Sequence, residues 1–276
     1  MHSVEANGAA IPALGLGTWT LKGRDCSALV EQALALGYRH LDTAASYGNE
    51  ADVGAGLRAS GVDRDAVFVT TKVWWTELAA EDFRRSAEAS LTRLGVDQVD
   101  LLLVHWPNAD IPLEETITAL NMVRADGLTR HIGVSNFPTG LLSQAIMASE
   151  APLVANQVEN HPYLDQRKVH AACRSAGMAM VSYCPLYRGG PLFEEAAVRD
   201  AADAHGKTPA QIVLRWHVQQ DGVVAIPRTT RAERLSENAN IFDFALSAPE
   251  MAKISSLRQA GRRICDYDFS PDWDAP

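Results

Sequence analysis

Along the chain, short apolar runs alternate with longer stretches in which apolar residues recur at helical spacing. Leu29, Val30, Ala33 and Leu34 fall at i, i+1, i+4 and i+5, one face of a helix, with Asp25 placed to cap it and Gly37 to end it. Residues 38–42 then read as a strand, and residues 67–72 as the next. A helix over 79–94, closed by Gly95, leads into residues 99–105, an almost unbroken apolar run of the kind a strand covered on both faces requires. Further strands are predicted at 131–135, 153–157, 178–183, 223–226 and 241–244, with helical segments between them and a last helix near 249–257. Before the rhythm starts, Asn7-Gly8 between residues 3–5 and 11–16 signals a short β-hairpin.

Counted from residue 38, the pattern gives eight strands separated by helices, which is how parallel strands with crossover helices are written. Eight such units in 276 residues fit an α/β fold of the (β/α)8 TIM barrel type, preceded by the hairpin. An open doubly wound sheet is the alternative. Its dinucleotide-binding form carries a Gly-x-Gly-x-x-Gly turn after a strand, and none occurs here. No Pro/Gly/Ser-rich linker or charge block divides the chain, so residues 1–276 are expected to form a single domain.

With 47% hydrophobic and 21% charged residues, the composition is that of an ordinary globular protein. The formal charge of -9 disfavours nucleic acid or an anionic membrane as partner unless a local basic patch overrides it. The four cysteines, Cys26, Cys173, Cys184 and Cys265, form no CxxC pair and read as reduced thiols suited to the cytoplasm. Residues 1–10 lack the pattern of a secretory signal, and no apolar run approaches the ~18 residues of a membrane helix. The expectation is a protein neither exported by that route nor anchored.

In a parallel barrel the chemistry gathers where strands run into their following loops. Those positions here hold Asp42 with Tyr47 nearby, then Lys72, His105, Ser135 and Asn136, and Gln157 with His161. Each alone has a structural explanation: a cap, a counter-charge, rim packing, a hydrogen-bonded core histidine. Together they suggest a lysine and an aspartate on adjacent strands beside a phenol. A neighbouring ammonium stabilises phenolate, so the tyrosine pKa is expected to fall below its usual value of about 10.

These residues sit in stretches that resemble the aldo-keto reductase family: Gly15-Leu16-Gly17-Thr18-Trp19, Gly37-Tyr38-Arg39-His40-Leu41-Asp42-Thr43-Ala44, Tyr47-Gly48-Asn49-Glu50, Thr71-Lys72-Val73-Trp74 and Leu102-Leu103-Val104-His105-Trp106-Pro107. Gly133-Val134-Ser135-Asn136-Phe137, Asn156-Gln157-Val158-Glu159 and Ile226-Pro227 continue the likeness, and the ending from Phe269 to Asp274 is most similar to the bacterial 2,5-diketogluconate reductase branch. The resemblance implies a catalytic tetrad of Asp42, Tyr47, Lys72 and His105. Tyr47 would be the general acid, Lys72 would tune it, Asp42 would keep Lys72 charged, and a neutral His105 would orient the carbonyl. It implies reduction of aldehydes, small ketones or dicarbonyls such as 2,5-diketogluconate or methylglyoxal-like compounds. Trp19, Trp74 and Trp106 would wall the substrate pocket.

For the cofactor, the family pattern places Ser135, Asn136 and Gln157 on a nicotinamide carboxamide and stacks Tyr183 on the ring. Leu186 and Arg188 would cover the pyrophosphate, and Arg228, Thr229, Arg234, Glu237 and Asn238 would meet the adenosine end. Two guanidinium groups there favour NADPH (NADP+ when oxidised), with NADH possible. The chain has Arg228-Thr229 where the family commonly has Lys-Ser, and Tyr183-Cys184-Pro185-Leu186 where it has Tyr-Ser-Pro-Leu. With no partner cysteine near it in sequence, Cys184 reads as a small buried residue. Family members are often monomers, and a monomer acting on a small carbonyl compound is the expectation. Two other classes are open to the same residues: a Lys72 Schiff-base aldolase and a nicotinamide-binding regulatory subunit on the same fold. No metal site is expected, since residues 40–42 read His-Leu-Asp rather than two histidines one residue apart.

Overall fold

The computed structural model describes residues 1–258 and 262–275. The chain opens with an antiparallel hairpin, β1 (Ser3–Ala6) and β2 (Ala9–Pro12), turned by Asn7 and Gly8 at φ 45° and 90°. Two successive positive φ angles are what a tight hairpin turn needs. Val4, Ala6, Ala9 and Ile11 face the main core. Asn7 donates from Nδ2 to the carbonyls of Leu153 and Ala176, at 2.8 and 2.9 Å, where two barrel strands begin. The hairpin thus covers the strand-start end and leaves the opposite mouth open.

Eight parallel strands follow in sequence order: β3 (Leu16–Gly17), β4 (His40–Asp42), β5 (Phe68–Val73), β6 (Val99–Val104), β7 (Thr129–Ser135), β8 (Leu153–Glu159), β9 (Ala179–Tyr183) and β10 (Val223–Ala225). The ring closes between its first and last members. Gly15 N donates to Ala225 O at 2.9 Å, Ala225 N to Ala13 O at 2.9 Å, and Gly17 N to Pro227 O at 3.0 Å. Every residue of β6 and β8 is buried, as strands with helices outside and a filled barrel inside must be. The outer layer is α1 (Gly23–Ala35), α2 (Glu50–Ala59), α3 (Ala80–Leu94), α4 (Leu113–Ala125), α5 (Thr139–Ala148), α6 (Arg167–Ser175), α7 (Pro191–Glu194), α8 (Ala196–His205), α9 (Pro209–Val218), α10 (Glu233–Ala239) and α11 (Ala248–Ser255).

The fold is the expected (β/α)8 barrel, but the strand count shifts by one. Residues 241–244 form no strand; Phe244 packs instead among helices, with Lys207 and Arg215 over its ring. The missing strand is the two-residue β3, placed before the first helix and too short to show an apolar period. Asp25 also does not cap α1: Lys22 is the N-cap residue, and the exposed Gly23 N–H donates to Asp52 Oδ2 at 2.7 Å.

Barrel closure leaves no room at Gly17, where a Cβ would lie 2.7 Å from the Ile226 carbonyl oxygen. Gly17→Ala is expected to destabilise the fold by about 1–3 kcal/mol, the usual range for forced overpacking. Thermal unfolding checks this, and an unchanged midpoint would mean that β3 can move off β10 freely.

Candidate active site

The parallel register sets the polar residues around the open mouth. β4 pairs Asp42 with Gly17 on one side and Thr70 on the other, and β5 carries Lys72 two residues past Thr70. Lys72 is 0% and Asp42 1% exposed. The Lys72 Nζ donates to Asp42 Oδ1 at 2.7 Å, to the Thr43 carbonyl at 2.7 Å and to the Tyr47 hydroxyl at 3.4 Å. An ammonium has three N–H donors, and these acceptors use them all. Tyr47 ends a single helical turn after β4, halted by Gly48 at φ 59° and tied to Lys22, whose ammonium donates to the Tyr47 carbonyl. His105 follows β6, its ring edge-on to those of Tyr47 and Trp74 at 5.6 and 5.1 Å between centroids. Its Nδ1 shares a hydrogen bond with Ser46 Oγ at 3.3 Å.

Burial sets the protonation of this group. It pushes Tyr47 well above the ordinary tyrosine value, and the Asp42 charge pushes in the same direction. The expected lowering by Lys72 is therefore overturned: the ammonium's charge is answered by Asp42, so desolvation of the phenolate wins. Burial pulls Lys72 below the usual lysine value, against the opposing charge and hydrogen bond of Asp42. His105 is held well below 6.5 by burial and then by Lys72, so it is neutral at physiological pH.

The second half of the site comes from β7, β8 and β9. Ser135 Oγ donates to the Gln157 carbonyl at 2.8 Å, and Gln157 Nε2 donates to the free oxygen of Asp42 at 2.7 Å. Asn136, in the left-handed region at φ 65°, donates from Nδ2 to the His105 carbonyl at 3.0 Å and accepts the Tyr183 hydroxyl at 2.7 Å. All these residues, with Leu186, Arg188, Arg228 and Arg234, line one cleft of about 830 Å³ that also contains Tyr47 and His105. Thr229, Glu237 and Asn238 stand outside its lining. The Thr229 hydroxyl accepts the Arg231 N–H at 3.0 Å, Glu237 accepts the Thr208 hydroxyl at 2.6 Å, and Asn238 is buried. His161 and Tyr163 also turn away from the cleft, His161 toward Glu159 at 2.9 Å and Tyr163 toward Glu195 at 2.5 Å.

The lining suits a nicotinamide dinucleotide. Amide and hydroxyl groups match a carboxamide, Tyr183 offers an aromatic face, and Arg188, Arg228 and Arg234 are cations suited to phosphate. The one acidic side chain in that lining is Asp42, already paired with Lys72. A chain with net charge -9 thus has a cleft whose unpaired charges are positive, the local override that its overall balance hides.

Trp19, Trp74 and Trp106 line the cleft as expected positions, but its far wall is a segment whose role sequence reasoning missed. Cys265, Tyr267 and Phe269 complete the lining. Phe269 meets the rings of Trp74, Trp75, Trp106 and Tyr267 at 5.7, 5.0, 5.5 and 5.2 Å. Residues 262–275 contain no helix or strand, so periodicity gave no signal; the run of aromatic residues was the available cue. The segment is held by the fully buried Glu159 carboxylate, which accepts the N–H groups of Ile264 at 2.6 Å and Cys265 at 2.7 Å.

Fold and site together define a class, a parallel-barrel oxidoreductase acting on carbonyl compounds. The model of the Aldo/keto reductase family matches residues 13–259, and the chain belongs to that family. It is an NAD(P)H-dependent oxidoreductase. It is similar to the methylglyoxal reductase DkgB of Escherichia coli O157:H7, 41% identical over 268 residues that cover 96% of this chain and 100% of the relative. Among solved structures it resembles a "putative 2,5-diketo-D-gluconic acid reductase B", with TM-score 0.97 and 47% identity over 100% of this chain and 98% of that one. A Bombyx mori aldo-keto reductase in complex with NADP aligns with TM-score 0.90 at 33% identity, over 98% of each chain.

Removing the Glu159 carboxylate leaves two backbone N–H groups and His161 without their acceptor. Glu159→Ala is expected to cost about 3 kcal/mol or more, since hydrogen bonds to a charged group contribute roughly 1.5–3 kcal/mol each. Amide hydrogen exchange at Ile264 and Cys265 should accelerate beyond any global change. Unaltered protection there would show that other contacts hold the segment.

Proposed function

We propose that the protein reduces aldehydes, small ketones and dicarbonyl compounds with NADPH, Tyr47 supplying the proton. The observation that carries this reading is the Tyr47 hydroxyl 3.4 Å from the buried Lys72 ammonium, itself 2.7 Å from Asp42, in a cleft shared with His105. When bound, a reduced nicotinamide supplies the hydride that adds to the carbonyl carbon. Tyr47 donates its proton to the carbonyl oxygen as the hydride arrives, giving the alcohol, and the phenolate left behind sits beside Lys72 until solvent returns a proton. The raised Tyr47 pKa keeps the phenol protonated for this direction. In this reading neutral His105 carries its proton on Nε2, the tautomer in which Nδ1 accepts from the Ser46 hydroxyl 3.3 Å away, and gives the carbonyl oxygen a second hydrogen bond.

Ser135, Asn136 and Gln157 hold the carboxamide in this reading, and Tyr183 packs on the ring. Leu186 and Arg188 cover the pyrophosphate. Arg228 and Arg234 grip the 2′-phosphate that distinguishes NADPH from NADH, while Thr229, Glu237 and Asn238 shape the chain at the adenosine end. Arg234 has no ion-pair partner among the described residues, which leaves its charge available. The substrate range draws on the relatives named for methylglyoxal and 2,5-diketogluconate and on the aromatic walls, with Trp19, Trp74 and Trp106 around a compact carbonyl. A Schiff-base role for Lys72 is disfavoured, because an ammonium donating all its protons has no lone pair to attack a carbonyl. Residues 1–276 are read as one barrel domain.

Absorbance assays of NADPH and NADH against aldehydes, dicarbonyls and keto sugars test the proposal, and no oxidation with any of them would reject it. Tyr47→Phe is expected to keep fold and cofactor affinity while kcat for reduction falls about 10²–10⁴-fold, the usual contribution of a general acid; normal turnover would remove Tyr47 from that role. Reduction needs the phenol and the reverse oxidation the phenolate. Because Tyr47 is shifted upward, reduction should hold past the reference tyrosine pKa of about 10 and oxidation should still be rising there. A loss of reduction centred near neutral pH would contradict this.

Arg228→Ala and Arg234→Ala should each weaken NADPH by about tenfold, close to 1.4 kcal/mol, with little effect on NADH. Equal losses for both cofactors would place these side chains away from the 2′-phosphate.

A further inference from the structure

The single helical turn after β4 that delivers Tyr47, residues Ala45–Tyr47, also carries Ser46, an exposed residue lining the same cleft. Its hydroxyl lies 3.3 Å from His105 Nδ1, and neither that hydroxyl nor the His105 ring has another hydrogen-bond partner among the described residues. The remainder of His105 is fixed by its neighbours. Its backbone N–H donates to the Val73 carbonyl at 3.0 Å, its carbonyl accepts Asn136 Nδ2 at 3.0 Å, and the rings of Tyr47 and Trp74 stand edge-on to its own. Burial keeps the ring neutral. One freedom is left, the nitrogen on which the ring carries its single proton.

We propose that Ser46 is a positioning residue that selects the His105 tautomer, its hydroxyl donating to Nδ1 so that Nε2 keeps the proton and offers it to the substrate carbonyl. The inference rests on the carbonyl reduction proposed above and deepens it. A carbonyl oxygen has no proton to give, so only an N–H at Nε2 can pair with it, and Nδ1 is then a bare acceptor that needs a donor. Among the described residues the Ser46 hydroxyl alone reaches it. In the other tautomer Nδ1 donates to Ser46, and a lone pair at Nε2 faces the lone pairs of the carbonyl, repelling what it should hold. Hydrogen bonds linked in this way strengthen one another. As negative charge grows on the substrate oxygen, the Nε2–H bond to it tightens, the ring gains electron density and Nδ1 becomes a better acceptor. The serine bond is therefore stronger in the transition state than in the substrate complex, and its contribution falls on kcat rather than KM. Neighbouring residues of one turn thus supply the proton and set the group that aligns its target.

Nitrogen-15 NMR of the full-length protein with labelled histidine reads the tautomer directly at neutral pH, before any cofactor or substrate is added. The His105 signals are assigned by their loss in His105→Gln. Wild type should show a protonated Nε2 and a bare Nδ1. Ser46→Ala should draw the two shifts toward each other as the second tautomer becomes populated. It should also lower kcat for carbonyl reduction about three- to tenfold, the range of a single neutral hydrogen bond, with KM and NADPH affinity near wild type. Ser46→Thr keeps the hydroxyl and should restore both shifts and turnover. A wild-type proton on Nδ1, or Ser46→Ala shifts equal to wild type, would overturn the tautomer assignment. A loss of turnover that Ser46→Thr does not restore would overturn it too, placing the defect in the turn that carries Tyr47. Altered shifts with full turnover would remove Ser46 from any part in the reaction. A protein whose shifts respond as expected but which oxidises NADPH with no carbonyl compound would count against the proposed reduction alone.

Discussion

The site depends on keeping an ammonium group inside the barrel without water. Moving such an ion out of solvent costs several kcal/mol even after relaxation, and attraction to a counter-ion repays it only if every proton finds an acceptor. Lys72 meets that condition through Asp42, Thr43 and Tyr47. The acceptors are themselves held. Gln157 occupies the second Asp42 oxygen at 2.7 Å, and Asn49 accepts the Thr43 hydroxyl at 2.8 Å while donating to the carbonyls of Thr18 and Leu21. A second buried carboxylate, Glu50, sits on the next turn, accepting from Thr71 at 2.5 Å and pairing with Arg93. The position of Tyr47 follows from this scaffold, because the same chain turn that offers the Thr43 carbonyl to Lys72 carries the phenol.

Much of this could be read from the sequence, for a physical reason. Asp42, Lys72, His105, Ser135 and Gln157 lie at or near the ends of strands whose apolar runs are long enough to recognise, so an α/β rhythm alone places them at one mouth. Tyr47 follows because its loop is short. β3 was not legible: two residues cannot show a period, and what lets Leu16–Gly17 close the barrel is the space Gly17 leaves for the Ile226 and Pro227 carbonyls. The protonation of Tyr47 was not legible either. Sequence named the charged neighbour, but the sign of the shift was decided by how far the phenol is buried and by Asp42 already answering the ammonium. The placement of the C-terminal segment along the cleft depends on a side-chain clasp from β8, a contact no spacing rule encodes.

The two halves of the cleft are also one polar network. Asn136 joins the His105 backbone to the Tyr183 hydroxyl, and Gln157 joins Asp42 to the Ser135 hydroxyl through its own carbonyl. Groups that must be set within fractions of an ångström for hydride and proton to arrive together are therefore fixed before any ligand enters, so little reorganisation is left to the reaction itself. The opposite wall is built on another principle. Phe269, Tyr267 and the tryptophans it touches pack by ring edges and faces, which tolerate sliding, and their segment is pinned at its start by Glu159 rather than woven into the sheet. At its far end the same segment is tied by Asp274, which accepts the Thr139 N–H at 3.0 Å and hydroxyl at 2.5 Å, so the ring contacts lie between two fixed points while the polar floor holds Asp42, Lys72, Tyr47 and His105 in place.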